Sequence, residues 1–446
     1  MKQKLTFRQY IYVGSMLFGI LFGAGNLIFP VSLGQNSGAH FNIATIGFLI
    51  SAIGLPLLTF VALGMSQTLE VFTLAKRVSP KFATIFTLLL YLVIGPLFAL
   101  PRLATTSFTI GAVPFIQGLN QQTGLHHYVM TFFVVAFLLA LNPTKLMQYV
   151  GKILTPLFLL TLGVLLIMTI IHPMGNPQTI VAQANYATHP LIQGVLDGYQ
   201  TLDVLGALAY GILVIQTLNQ LGVTEPKAVA VDMIKSSIIS VIIMGVIYWF
   251  LAYAGASSLG QLALSENGGV ALSQITHYYL GTNGSILLAI IVILGCLKTA
   301  VGLLTAFSET MLKLFPAIPY KVSLVLVTIA SALVATTGLN NLISWAVPVL
   351  MFLYPIAIAL ILLAIIEPHF AKSSTVYRWT IGFTTLAALL DGIANIPASA
   401  TAFDGAKQIV SQLNVYIPFA NIGMGWIIPS LIGFGIGYVL YRAKQN

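Results

Sequence analysis

Two long apolar stretches of this chain are interrupted by residues that could bind ions and polar ligands. The first interruption reads Phe22-Gly23-Ala24-Gly25-Asn26-Leu27-Ile28-Phe29-Pro30, the second Gly198-Tyr199-Gln200-Thr201-Leu202-Asp203-Val204-Leu205-Gly206. Gly23, Gly25 and Asn26 let the chain leave a helix at low cost, because Gly takes positive φ freely and Asn does so better than most. A helix restarting near Leu27 offers unpaired N–H groups and a positive dipole end, which suit a carboxylate at Ala24, Gly25 and Asn26. The half-helix before it ends in carbonyls between Gly19 and Phe22, which suit a cation. At the second break Tyr199, Thr201 and Asp203 supply oxygens for an ammonium group. A zwitterion could be held at both ends, and the surrounding Leu, Ile, Val and Phe favour an aliphatic side chain. The alternative is that the glycines serve only close helix packing.

These motifs sit in a chain made for a bilayer. Apolar residues are 58% of the 446 and charged residues only 7%, against about 25% charged in soluble domains. Runs long enough to span fall at roughly 7–36, 43–69, 83–112, 127–142, 147–171, 193–220, 229–258, 283–314, 320–337, 343–366, 375–396 and 425–442. Broken helix at membrane depth is tolerated only where its backbone faces a cavity, an ion or a ligand. The first run is too long for a signal-peptide core and is read as an uncleaved first span.

The cations order these spans. One set of ends carries Lys2, Lys4, Arg8, Lys76, Arg77, Lys81, Lys145, Lys152, Lys227, Lys235, Lys313, Lys321, Lys372, Arg378, Arg442 and Lys444; the opposite set carries only Lys407. That bias puts the first set, with both termini, in the cytoplasm and supports about twelve spans. It also explains the net charge of +9 without nucleic acid. Arg102, Lys298, Asp197, Asp203 and Asp391 fall inside spans or near their ends, and intramembrane charges are functional candidates. Solvation at helix ends is the alternative for Asp197 and Asp391. Arg102 and Asp203, on the third and sixth spans, are expected to be partners, with separate solvation as the alternative. The lone Cys296 excludes an intrachain disulfide and reads as a small buried hydrophobe.

The breaks lie in the first and sixth spans. Five spans between equivalent positions is an odd number, so the second unit enters inverted relative to the first. The expected organisation is a repeat over 1–171, broken near 22–26, an inverted repeat over 193–366, broken near 198–206, and two additional helices in 375–446. The site lies at the midplane, where the breaks meet. Pro96 and Pro101 should disturb the third span.

The two breaks, Gly95-Pro96 through Pro101-Arg102, Ala104-Thr105-Thr106-Ser107-Phe108, Val347-Pro348-Val349-Leu350 with Tyr354-Pro355, and Leu390-Asp391-Gly392 come in a specific order. In this the chain resembles the branched-chain amino acid:cation symporter family over nearly its whole length. The resemblance implies an all-α, leucine-transporter-type fold and transport of leucine, isoleucine or valine. The first break is also similar to the first-span motif of neurotransmitter:sodium symporters. That implies a substrate carboxylate beside Ala24, Gly25 and Asn26, and a cation site at Gly19 and Phe22 completed by the eighth span. There the register puts Lys298 and Thr299 where a pair of small hydroxyl residues is usual. Thr109 stands where related carriers often have an acid. The expectation is that the Lys298 ammonium replaces sodium and couples transport to protons, with a lysine that never titrates as the alternative. No cofactor is expected beyond a sodium ion or proton.

Three other classes compete. A membrane enzyme would need clustered ionisable side chains, but the seven histidines fall in loops or at helix ends. The one pair, His126-His127, has no nearby Cys or acid for a metal site. A channel would show filter repeats or rings of charge. An amino-acid sensor on a transporter scaffold stays open. The expected protein is a non-enzymatic carrier of the cell membrane. The order of preference among the three amino acids and the oligomeric state are not legible.

Overall fold

The structure, a computed structural model, describes residues 5–66, 68, 70–116, 120–141 and 159–445, and these contain helices and no strand. The helices are α1 (Phe7–Leu21), α2 (Ala24–Ser37), α3 (Phe41–Leu49), α4 (Leu55–Ser66), α5 (Val71–Ala75), α6 (Pro80–Leu92), α7 (Ala99–Gly111) and α8 (Gln121–Leu141). Then come α9 (Leu159–Ile171), α10 (Ala184–Thr188), α11 (Pro190–Tyr199), α12 (Asp203–Gln220), α13 (Pro226–Ser258) and α14 (Gly268–Leu314). The last are α15 (Tyr320–Ala335), α16 (Leu339–Ile366), α17 (Ser374–Ala394), α18 (Asp404–Asn414) and α19 (Ile427–Ala443). Six helical stretches among the described residues are long and apolar enough to cross a membrane. One of these, Ala24–Ser66, turns back at Gly38, where φ is +48°. The molecule is a multi-pass membrane protein. The junction expected near 142–147 and Lys2, Lys4, Lys145 and Lys152 lie outside the described residues.

Local sequence accounts for where helices start and break. Ser79 caps α6, its hydroxyl accepting from Phe82 N–H at 3.1 Å with Pro80 in the first turn. Asn267 caps α14 through bonds of 3.0 and 3.1 Å from the Gly269 and Val270 N–H groups. The third span is broken as expected, but by Gly95-Pro96 rather than by both prolines. Gly95 leaves helical geometry, while Pro101 sits in the first turn of α7, where its missing N–H costs no helical bond. The expected loop before residue 283 is instead helix from Gly268 on, kinked at Gly281, whose φ is +60°.

Two groups of helices form the frame. In one, α13 packs along both α1 and α2, while α3 and α4 pack along α11 and α12. In the other, α14 and α15 pack with α7 and α8. Interlocked glycines hold the first group. Gly34 of α2 lies against the Ala252 and Ala256 backbone of α13, and Gly255 answers against Val31. Gly47 of α3 and Gly194 of α11 meet the backbones at Leu191 and Ala44 in the same reciprocal way. A Cβ at any of the four would strike main chain, so these glycines permit the close approach that packing without a hydrophobic drive requires.

Three cationic helix ends are tied to distant segments. Lys313 pairs with Glu70 at 3.3 Å and Arg77 with the buried Glu367 at 3.2 Å. Arg378 Nε donates to the Val78 carbonyl at 3.0 Å. Segments at other helix ends are joined too: Gln183 N–H donates to the Asn36 carbonyl at 2.8 Å and Asn267 to Asn340 at 2.7 Å.

Candidate functional site

Both expected breaks exist. α1 stops at Leu21, Phe22 and Gly23 are extended, and α2 starts at Ala24. Positive φ plays no part here, contrary to expectation: Gly23 has φ −124° and ψ −170°, and Gly25 is helical. Gly25 is instead needed for room, since a Cβ there would lie 3.2 Å from the Phe29 ring and 3.6 Å from Thr201 Cα. The left-handed residue belongs to the second break, and it is Leu202, with φ +65°, between the end of α11 and the start of α12.

The two breaks touch through Asn26, which is 1% exposed. Its Oδ1 accepts the Gly23 N–H at 2.9 Å, which leaves both amide hydrogens to donate. One goes to Asp203 Oδ2 at 2.7 Å and the other to the Tyr248 hydroxyl of α13. One side chain therefore ties together α2, α12 and α13. Asp203, in the first turn of α12, also benefits from the positive end of that helix.

Arg102 and Asp203 are both buried but do not pair. The Arg102 guanidinium donates from Nη1 to the Gln200 carbonyl, and its Nη2 lies 3.4 Å from Gln200 Oε1. Its Cζ stands 5.0 Å from the centre of the Phe29 ring. Charge compensation thus runs through the backbone carbonyl exposed by the second break and a π face, not through the carboxylate. Arg102 is 3% and Asp203 5% exposed, so neither stands in an open vestibule in this state. Gln200, Tyr248 and Phe29 complete the junction, and none of them was singled out from sequence. Gln200 stood inside the motif, and an amide between Tyr199 and Thr201 was its only signal.

The remaining expected residues divide between two cavities. Gly19, Phe22 and Ala24 line one of about 100 Å³, together with Leu103, Cys296, Lys298 and Thr299. The α14 register from the sequence thus brings Lys298 and Thr299 opposite the end of α1. Lys298 is half-buried there and has no hydrogen-bond or ion-pair partner among the described residues. Thr299 directs its hydroxyl back to the Gly295 carbonyl at 3.0 Å. Tyr199 and Gln200 line a second cavity, of about 340 Å³, between α11, α16 and residues 420–423. Tyr199 stacks on Tyr354 of α16 at 4.2 Å. Thr201 hydrogen-bonds the Gly198 carbonyl at 2.8 Å, so its hydroxyl supports the turn. The oxygens of Tyr199, Thr201 and Asp203 therefore do not converge on one cavity in this state. Asp391 caps the bend before α19, with Gly425 packed against its carboxylate.

The fold and sequence both have relatives. The structure superposes on the inward-facing conformation of Mhp1 with a TM-score of 0.61 at 11% identity, covering 97% of this chain and 91% of that one. A mutant manganese transporter from Eremococcus coleocola gives 0.59 at 14% identity, covering 98% and 97%. The fold is thus of the leucine-transporter type. The branched-chain amino acid permease BrnQ of Lactobacillus delbrueckii subsp. lactis is 41% identical, covering 98% of this chain and 97% of the relative. BrnQ of Bacillus subtilis is 39% identical over the full length of both. The family described as branched-chain amino acid transport protein matches residues 6–444. By these matches the chain belongs to the branched-chain amino acid transport protein family.

Proposed function

We propose that this protein is a secondary carrier, not an enzyme, that takes leucine, isoleucine or valine across the cell membrane by alternating access. The observation that carries the reading is the Asn26–Asp203 contact of 2.7 Å joining two helix breaks, with a cavity on either side. The relatives named branched-chain amino acid permeases support the substrate class. Substrate would enter as the junction loosens, its carboxylate at the start of α2 near Ala24 and Gly25 and its ammonium at Asp203 in place of the Asn26 amide.

The same reading includes twelve crossings and an inverted five-plus-five repeat with α17 and α19 appended. Packing supports the repeat: each broken helix lies with both halves along a helix of the other unit, α1 and α2 on α13, α11 and α12 on α3 and α4. The cationic helix ends are the cytoplasmic ones, by the bias of Lys and Arg. Lys298 is the substitute for a coupling sodium ion, because its ammonium, without a partner among the described residues, shares a cavity with Gly19 and Phe22.

Radiolabelled leucine uptake into proteoliposomes tests this, with sodium and pH gradients imposed separately. Uptake is expected to follow the pH gradient and ignore sodium, and Lys298→Thr is expected to lose the pH response. Sodium-driven uptake at fixed pH would refute the role of Lys298. Binding of leucine without uptake would make the protein a sensor.

A further inference from the structure

The 340 Å³ cavity holds features that the central junction does not use. Asp197 is its one acidic lining residue, and no Lys or Arg lines it. Asp197 Oδ1 accepts from Gln193 Nε2 at 3.0 Å, and the Tyr186 hydroxyl donates to Oδ2. Both donors are neutral; His189 lines the same cavity, and among the described residues no Lys, Arg or His forms an ion pair with Asp197. A carboxylate has about four lone-pair sites, and two of them are used here. The apolar part of the lining is Leu196, next to the acid on α11, with Leu350 and Met351 of α16. The floor is Tyr199 and Gln200, the latter being the residue that holds Arg102.

A ligand matching this cavity carries a positive group at one end and an aliphatic body at the other. We propose that it is a second binding site for an aliphatic amino acid, with the α-ammonium on Asp197 and the side chain against Leu196, Leu350 and Met351. The inference rests on the transport reading above and extends it: substrate waits here, one layer outside the closed junction, with the Tyr199–Tyr354 stack beneath it. The rim belongs to the appended part of the chain. Phe419 and Gly423, with φ of +66° and +73°, bend residues 420–423 over the cavity. A Cβ at Gly423 would come within 3.0 Å of Leu196 Cδ1, so the rim closes directly onto the apolar wall. This gives the segment between α17 and α19 a part in substrate capture.

The test is the stoichiometry of ¹⁴C-leucine binding to the purified protein in lipid nanodiscs, titrated to saturation. The expected result is two leucines per chain. Asp197→Asn, and separately Asn421→Trp, which fills the cavity from its exposed rim, should each bind one. One leucine per wild-type chain, or two in both variants, would overturn the proposal. So would unchanged leucine stoichiometry with loss of ²²Na⁺ binding in Asp197→Asn, which would make this an ion site. No leucine bound to the wild type at all would instead refute the transport reading.

Discussion

At the residue scale the decisive side chain is Asn26. From sequence it was a lining residue for a carboxylate; in the structure it is a brace that uses three of its four hydrogen-bonding capacities. The amide was legible because a polar residue inside an apolar span needs a reason. Its partner Tyr248 was not, because a tyrosine in the Ile247-Tyr248-Trp249-Phe250 run looks like ordinary apolar filling. Asn26→Ala would strand a buried carboxylate and a buried hydroxyl, at about 1–3 kcal/mol each. Thermal melting in detergent should show the loss of stability, and leucine uptake should fall by at least about tenfold, since each 1.4 kcal/mol is one decade. Unchanged uptake by Asn26→Ala would remove the junction from the mechanism. Gly25→Leu should abolish uptake by a different route, because its side chain would press on Phe29 and the second break. A melting curve close to wild type would separate that block from misfolding.

At the element scale, apolar runs located helices only roughly, local capping signals marked some starts, and backbone geometry was not legible. The Ser79-Pro80 and Pro226 starts are local signals, and α6 and α13 begin there. Glycine-rich motifs marked both breaks, yet the left-handed residue is Leu202, because a break needs only one residue of unusual φ and tertiary packing chooses it. Left-handed backbone costs a non-glycine residue roughly 1–2 kcal/mol. Losing a buried leucine side chain costs about 2–5 kcal/mol for Leu→Ala in a core. Leu202 is 6% exposed, so packing outweighs strain. Leu202→Gly should therefore lower the melting temperature although it relieves the backbone, and a higher one would mean the strain dominates. The Arg102 pairing failed for a related reason. Opposite charges on neighbouring spans suggested a salt bridge, but the broken helix offers a bare carbonyl, an acceptor that composition cannot display.

At the scale of the whole molecule, the alternation of cations was the clearest pattern in the sequence, and the structure ties two of those ends to acids, in Arg77–Glu367 and Lys313–Glu70. What the sequence could not display was that the junction is closed, with cavities on both sides of it. Alternating access requires the cavity beside α1 to change its exposure as the junction opens and closes. The chain carries its own reporter of that change. Its one cysteine, Cys296, is 5% exposed and lines that cavity, which α1 reaches from its cationic end. A membrane-permeant maleimide should label Cys296 slowly in the resting protein. An impermeant thiol reagent should label it only when applied to the cytoplasmic face, as in inside-out vesicles. Saturating leucine should change the labelling rate, because ligand shifts the populations of the open and closed forms according to its differential affinity for them. Equal labelling by the impermeant reagent from both faces, or a rate indifferent to leucine, would separate this cavity from the transport cycle and leave Lys298 as a structural lysine.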